Sequence, residues 1–267
     1  TIFSFSKAKL SCSSRVTPYD TYSNKIFTKR WFLKYLNKLT SWRVDALTCV
    51  SEDMVKQYHA VLNSKKHICI YNIIDDSHSR KLMNEKANHE WLINKNCKII
   101  IAAGKLAPWK GFDNLIKSFE IVKKSMNVKL IILGDGPERY KLNSIILKLN
   151  LEHEVSMPGY VSNPLSYFIK SDVFVLSSTV EGMPNVLVEA MMCGCTPVST
   201  DCPTGPRELL QSNQNGYLVP VNDKFAMSSS IISALNKPIP ASILNKAVQP
   251  FQENVIINKH FSSININ

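Results

Sequence analysis

Two carboxylates eight positions apart, Glu181 and Glu189, bracket the run Glu181-Gly182-Met183-Pro184-Asn185-Val186-Leu187-Val188-Glu189. The run follows an apolar stretch, Val173-Phe-Val-Leu176, that reads as a strand, and open α/β sheets bind ligands just beyond the carboxyl ends of their strands. Pro184 suits the first position of a helix, because it has no N–H to leave unpaired and its φ is already helical. The amides of Asn185 and Val186 then point outward at the positive end of that helix, where an anion is favoured. Glu181 precedes the helix and Glu189 falls in its second turn, so the two can hold different parts of one extended ligand. A carboxylate accepts hydroxyl protons and repels phosphate. The spacing therefore suggests phosphate at the helix tip with hydroxyl-bearing groups to either side. On spacing alone a plainer reading stands beside it, in which Glu181 is a cap-region charge and Glu189 a solvated helix residue.

Two further segments carry candidate chemistry. Gly104-Lys105-Leu-Ala-Pro-Trp-Lys110-Gly111 sets two ammonium groups between a strand and a helix start, where cations and free N–H groups both suit phosphate oxygens. Surface lysines beside a turn are the plain alternative. Leu133-Gly-Asp-Gly-Pro137 has the glycines of a tight turn and a proline that begins a helix, a turn that many α/β units use without touching a ligand.

The elements that must position these residues alternate. Strands are expected at 97–102, 128–133, 155–157, 172–177 and 196–200, with a short one at 216–219. Helices are expected at 110–124, 138–150, 165–171, 184–193, 206–211 and 224–236. Alternation of this kind is how a doubly wound parallel sheet reads, so residues 96–240 are expected to form a Rossmann-like domain, followed by a helical tail at 241–267. Before it come a helix at 24–41, a strand at 45–50, a helix at 52–62 and a strand at 67–71. Two strands and two helices cannot close a stable α/β layer alone. Residues 1–75 are accordingly read as the closing part of a domain whose beginning is absent, joined to the next by a polar, weakly periodic connection at 76–95.

The helix at 24–41 and the residue just after it place Phe27, Trp31, Tyr35, Leu39 and Trp42 at roughly helical spacing, interleaved with Lys25, Lys29, Arg30, Lys34 and Lys38. That is the pattern of a helix lying on an anionic membrane surface; a domain helix with one face in the core and solvated lysines is the alternative. A net charge of +11 favours polyanionic partners without choosing among nucleic acid, lipid headgroups and phosphorylated substrates. No nucleic-acid recognition motif accompanies it, so nucleic acid is not expected as a partner. Hydrophobic residues at 45% and charged residues at 20% exclude a disordered chain. The longest apolar runs fall far short of the roughly 20 residues needed to span a bilayer. The seven cysteines are odd in number and scattered, which fits a reduced cytoplasmic setting. Cys193-Gly-Cys195 lacks the second pair that a zinc site needs, and no metal is expected.

Taken in order, Gly104-Lys105-Leu106, Lys110-Gly111-Phe112, Gly134-Asp135-Gly136-Pro137, Gly159-Tyr160-Val161, Glu181 with Glu189, Gly194-Cys195-Thr196-Pro197-Val198 and Gly216-Tyr217-Leu218-Val219 resemble the large group of retaining GT-B glycosyltransferases known as family 4. Val50-Ser51-Glu52 and Ile70-Tyr71-Asn72 are similar to the closing strands of that family's N-terminal domain. Thr200-Asp-Cys-Pro-Thr-Gly-Pro-Arg-Glu208 is similar to the version in bacterial members that build surface polysaccharides and lipid-linked oligosaccharides.

The resemblance implies an α/β fold of GT-B type, with a complete C-terminal Rossmann-like domain and the tail of an N-terminal one. It implies a nucleotide-sugar donor, a UDP-hexose or UDP-N-acetylhexosamine, as co-substrate with no cofactor, and a saccharide or polyprenyl-diphosphate-linked acceptor at the cytoplasmic face of the inner membrane. It places Lys105 and Lys110 on the donor diphosphate, Glu181 on the transferred sugar and Glu189 on the ribose. The amides of the run Gly182, Met183, Pro184, Asn185 and Val186 would meet phosphate, where proline contributes none, with Gly104 close by and the backbone near Val161 facing the base. Lys105 stands where the family usually has arginine, which keeps the charge and loses the bidentate fork. The family's glycine-rich loop and sugar-facing histidine are not recognisable before Ser51, and His59 and His67 come too late in the pattern to replace that histidine. A truncated, inactive relic, or a domain that binds nucleotide sugar without transferring it, is therefore the alternative. The paired glutamates argue against a sugar-nucleotide epimerase of the same architecture.

Overall fold

The computed structural model describes residues 9–40, 44–62 and 67–264, and the chain divides into two compact units, residues 1–73 with 250–267, and residues 74–249.

In the first unit β1 (Ser11–Ser14), β2 (Ala46–Cys49) and β3 (His67–Cys69) form a parallel sheet in that order, with α1 (Pro18–Thr21), α2 (Lys29–Thr40) and α3 (Glu52–Leu62) in the connections. The sequence reading lacks β1, because Ser-Cys-Ser-Ser has neither apolar alternation nor β-branched residues. Register decides it instead: Ser11 pairs with Ala46 and Ser14 with Cys49. Ser51 Oγ accepts from the Met54 N–H at 3.2 Å and starts α3, with Glu52 and Asp53 suiting the positive helix end. Helix α2 begins later than expected. Asn24 lies before it, Phe27 has φ 61°, and Thr28 Oγ1 accepts from Trp31 N at 3.2 Å as the cap. Ser41 and Trp42 lie outside the described residues.

The second unit opens with α4 (Ser77–Met83) and α5 (Glu90–Ile93). The expected connection at 76–95 is thus helical and integrated. Asp76 caps α4 through Ser79 N at 2.6 Å, Asp75 pairs with Arg80 through two bonds of 2.6 and 2.7 Å, and Tyr167 Oη donates to Asn88 O. The polarity that reads as a linker is spent on caps and anchoring bonds. The tail at 241–267 also divides differently. Residues 241–249 belong to the second unit, whereas Phe251 stacks on Tyr71 at 4.5 Å in the first.

Then come β4 (Lys98–Ala103), α6 (Phe112–Lys123), β5 (Val128–Leu133), α7 (Arg139–Lys148), β6 (Val155–Gly159), α8 (Leu165–Phe168), β7 (Val173–Leu176), α9 (Asn185–Met192), β8 (Thr196–Thr200), α10 (Pro206–Leu210), β9 (Tyr217–Val219), α11 (Lys224–Asn236) and α12 (Ala241–Val248), before α13 (Glu253–Ser263) in the first unit. The strands form a parallel sheet in the order β6-β5-β4-β7-β8-β9. Burial on both faces explains why they read as unbroken apolar runs. Ile100, Ala102, Leu130, Ile132, Val173 and Val175 meet Leu115, Phe119, Met227 and Ile231 of α6 and α11 in one core, while Ile99, Ile101 and Phe174 are buried with the opposite strand parity.

The chain runs outward through β4, β5 and β6, then returns to β7 beside β4 and runs outward the other way. The order reverses between β4 and β7, and in open α/β sheets such a reversal marks the strand ends near which ligands bind. Asp172 fixes the other end of the pair: its carboxylate accepts from Ile99 N at 2.8 Å, Lys95 Nζ at 2.8 Å and Lys98 Nζ at 3.0 Å.

Candidate functional site

The loops beyond β4 and β7 are sewn together. Pro108, Trp109 and Lys110 form one 3-10 turn ending at Gly111, whose φ of 63° is left-handed. A Cβ there would stand 2.2 Å from Ser177 O, so only glycine lets α6 approach the end of β7. Ser177 Oγ donates to Lys110 O at 2.7 Å, and Thr179 N to Trp109 O at 2.8 Å.

This stitching delivers Lys110 to Glu181. Lys110 Nζ lies 2.6 Å from Glu181 Oε1, with both side chains largely withdrawn from solvent. The same oxygen accepts from Ser178 Oγ at 2.6 Å. On its other side the Glu181 backbone is tied to the loop after β8, through Glu181 N to Pro203 O at 3.2 Å and a short bond from Thr204 Oγ1 to Glu181 O. Sequence reasoning did not single out Ser178 or Thr204: Ser178 lies just before the Glu181 run and Thr204 inside the quoted 200–208 segment, and nothing in their types reveals that they face Glu181.

Glu189 sits half-buried in the second turn of α9. Burial pushes its carboxyl up from the ordinary value, and no donor bonds it among the described residues. Cys193, one turn on, is pushed up to about 12 by burial and then by the Glu189 charge. A carboxylate held unsatisfied at reduced solvation is primed to accept ligand hydroxyls.

Pro184 departs from the expectation. It is the cap residue, with φ −78° and ψ 82°, and α9 begins at Asn185. The Asn185 N–H turns back to Met183 O at 2.9 Å, leaving it engaged rather than directed at an anion. Proline's free choice of ψ allows this tight turn. The Val186 N–H has no backbone partner among the described residues and keeps the first-turn position. Gly182 and Met183 lie in the loop between Glu181 and this turn. In the same way Pro137 lies in a turn, and α7 starts at Arg139.

Gly104, Lys105 and Val161 line one cleft of about 340 Å3 with Ala103, Gly134, Asp135, Tyr160 and Pro164. Its floor is two loops in close approach. Gly104 N bonds Leu133 O at 3.0 Å and Leu106 N bonds Asp135 O at 2.9 Å, and a Cβ on Gly134, whose φ is 127°, would stand 1.9 Å from Gly104 O. Arg139 braces the wall by donating to Asp135 Oδ1, Gly134 O and Met157 O at 2.8 to 3.1 Å. Lys105 is exposed at this cleft. Tyr160, 78% exposed at the cleft, supplies an aromatic face that the sequence reading quoted only as part of a motif.

The structure thus bonds Lys110 to Glu181, gathers Gly104, Lys105 and Val161 in a cleft beyond β4, β5 and β6, and leaves Glu189 on α9 beyond β7. The Lys110–Glu181 ion pair, a Glu189 carboxylate without a donor among the described residues, and an aromatic-edged cleft in one unit can hold an extended ligand with anionic and hydroxyl-bearing parts.

Residues 83–250 match the family model described as glycosyl transferases group 1. The chain is 33% identical over 204 residues to an uncharacterized glycosyltransferase of Methanocaldococcus jannaschii, covering 73% of this chain and 49% of that protein. It is 32% identical over 185 residues to the Campylobacter jejuni N-acetylgalactosamine-N,N'-diacetylbacillosaminyl-diphospho-undecaprenol 4-alpha-N-acetylgalactosaminyltransferase, covering 69% and 48%. The chain spans about half the length of these curated relatives. Among solved structures it is similar to Anabaena HepE in complex with UDP and glucose, with a TM-score of 0.77, 20% identity, and coverage of 96% of this chain and 71% of that one. This likeness shows the α/β fold of GT-B type.

Proposed function

The chain belongs to the glycosyl transferases group 1 family, and on that premise we propose that it binds a nucleotide-sugar donor, a UDP-hexose or UDP-N-acetylhexosamine, at the crevice between β4 and β7. The observation that carries this reading is the Lys110–Glu181 contact of 2.6 Å at the reversal of strand order. It puts a cation for diphosphate and a carboxylate for sugar hydroxyls at the place where this architecture receives ligands. Glu189 takes the ribose hydroxyls, and the backbone near Val161 faces the base inside the cleft. The UDP and glucose named for the Anabaena structure support this choice of donor.

In the proposed reaction the sugar moves to an acceptor hydroxyl with its anomeric configuration retained and without a metal ion. The bond from the anomeric carbon to the diphosphate oxygen breaks, a bond to the acceptor oxygen forms, and the acceptor hydroxyl's proton passes to the departing diphosphate. Negative charge grows on the departing diphosphate. In this reading Lys105, Lys110 and the first turn of α9 offset that charge, and stabilisation of developing charge by fixed cations and dipoles is usually the largest single term in catalysis. The acceptor is a saccharide or a polyprenyl-diphosphate-linked sugar, as the name of the Campylobacter relative suggests by analogy.

A lipid-linked acceptor fits the surface of α2. Phe32, Tyr35, Leu36 and Leu39 share one face and are 43 to 68% exposed, cations Lys29, Arg30, Lys34 and Lys38 accompany them, and no acidic residue occurs from 24 to 40. An apolar stripe beside cations suits an anionic bilayer surface, on the cytoplasmic side. No helix among the described residues is long and apolar enough to cross a membrane.

Titration calorimetry with UDP and UDP-sugars tests the donor reading. Glu189→Ala and a Lys105→Ala/Lys110→Ala double variant are each expected to weaken binding at least tenfold. Unchanged affinity in both overturns the site. Release of UDP from a UDP-sugar in the presence of acceptor tests transfer separately.

A further inference from the structure

Glu181 Oε1 is doubly engaged, and this points to a role for a residue that none of the motif readings assigns. Ser178 is fully buried, and its hydroxyl donates to Glu181 Oε1 at 2.6 Å, the same oxygen that Lys110 Nζ meets at 2.6 Å. Glu181 Oε2 has no donor among the described residues. Ser178 is itself held, since Thr200 Oγ1 donates to its carbonyl at 2.5 Å and to Leu176 O at 3.3 Å.

We propose that Ser178 is a positioning residue that keeps Glu181 Oε1 occupied, so that Oε2 meets a hydroxyl of the transferred sugar, and that it thereby sets the preference for a sugar-bearing nucleotide over the bare nucleotide. The inference rests on the donor-site reading above. The chemistry follows from the sharing of Lys110. An ammonium is a compact point charge on a flexible stem, and an arriving diphosphate competes with Glu181 for it. Once Lys110 turns toward phosphate, Glu181 would lose its restraint if it had no second donor. A hydroxyl bond to a charged oxygen persists through that exchange and holds the carboxylate in one rotamer. Bare UDP makes no use of Oε2, so it gains nothing from this restraint.

The experiment is calorimetry on the full chain with UDP, UDP-N-acetylglucosamine, UDP-N-acetylgalactosamine, UDP-glucose and UDP-galactose. The wild type is expected to bind at least one UDP-sugar more tightly than UDP. Ser178→Ala should weaken that UDP-sugar about tenfold, the worth of one hydrogen bond to a charged group, with UDP affinity within twofold of wild type. Ser178→Cys fills similar space with a far weaker donor and should behave like Ser178→Ala. Three outcomes overturn the proposal while leaving the donor site intact: equal losses for UDP and UDP-sugar, no loss in either variant, or wild-type behaviour restored by cysteine, which would make the role one of packing. Failure of the wild type to bind any of the five overturns the donor-site reading and this inference with it.

Discussion

Lys110 Nζ and Glu181 Oε1 lie 2.6 Å apart although their residues are separated by 71 positions, and each side chain is at most about one-fifth exposed. The contact joins the loop after β4 to the loop after β7 and so spans the reversal of strand order. Removing one member leaves the other charge partly desolvated and uncompensated, which costs more than the net value of the pair. Lys110→Met is therefore expected to lower stability by about 1–3 kcal/mol and to abolish measurable UDP binding. Thermal unfolding followed beside calorimetry separates the two effects.

The proposed ribose contact of Glu189 gives nucleotide binding a pH dependence. Its carboxyl is raised from the ordinary value of 4.5 by burial, and in that proposal the ribose hydroxyls bond the ionised form. Affinity is thus complete above the raised value and declines as pH falls through it, beginning at a higher pH than an exposed glutamate would give. The sign for stability is opposite: the raised value means the folded chain binds the proton more readily, so this group favours folding at low pH. Calorimetric affinities measured at successively lower pH should show the decline, and Glu189→Gln should bind more weakly and lose the pH slope.

Gly134 tests the floor of the cleft. An added Cβ would stand 1.9 Å from Gly104 O at a φ of 127°, where neither the backbone nor the neighbouring strand end yields cheaply. Gly134→Ala is expected to cost about 2–4 kcal/mol through combined strain and overpacking. Ser144→Ala on α7, whose hydroxyl bonds only Tyr140 O one turn back, should change the melting temperature little and serves as the comparison.

His67 makes the first unit acid-sensitive. It is 3% exposed, stacked on Tyr58 at 4.6 Å, and its buried Nδ1 has no hydrogen-bond partner among the described residues. Burial first, and then His59, lower it from 6.5 to about 4. The unfolded chain binds the proton more readily between those values. The contribution is complete above pH 6.5, falls as pH drops toward about 4, and levels off below that. A loss of about 3 kcal/mol across this window is expected from linkage, measured as the denaturant midpoint against pH. His67→Phe, which keeps the stack on Tyr58, should flatten that part of the profile.

The exposed stripe of α2 predicts sedimentation with phosphatidylglycerol vesicles and not with phosphatidylcholine vesicles. Phe32→Ser with Leu39→Ser should abolish it, because each buried apolar side chain contributes about 1.5–3 kcal/mol. Added salt should weaken it by screening the lysines. Equal binding to both vesicle types, or to neither, contradicts the reading.

Periodicity and breaker residues sufficed for the strands β4, β5, β7 and β8, since parallel strands buried on both faces leave long apolar runs that few other elements produce. The end of each run then located the loops that carry Lys105, Lys110 and Glu181. Strand β1 escaped because Ser-Cys-Ser-Ser earns its place by pairing with β2 and not by its own composition. Segment 76–95 escaped because its polar residues resemble a linker until Asp76, Arg80 and Asn88 are seen to bond specific partners. The turn at Pro184 shows a local limit: proline fixes φ, but ψ was decided by the return of Asn185 N to Met183 O.

By itself the sequence determined the order of elements, the α/β class and the residue types available for a diphosphate and hydroxyl-bearing ligand, because these follow from hydrophobic period and local stereochemistry. Only the tertiary structure decided that Lys110 meets Glu181, that Ser178 shares the same carboxylate oxygen, and that Glu189 on α9 has no donor among the described residues. Those relationships depend on β4 and β7 lying side by side, a pairing of strands some 70 residues apart that no local pattern encodes, and on glycines such as Gly111 that let the two loops approach within bonding distance.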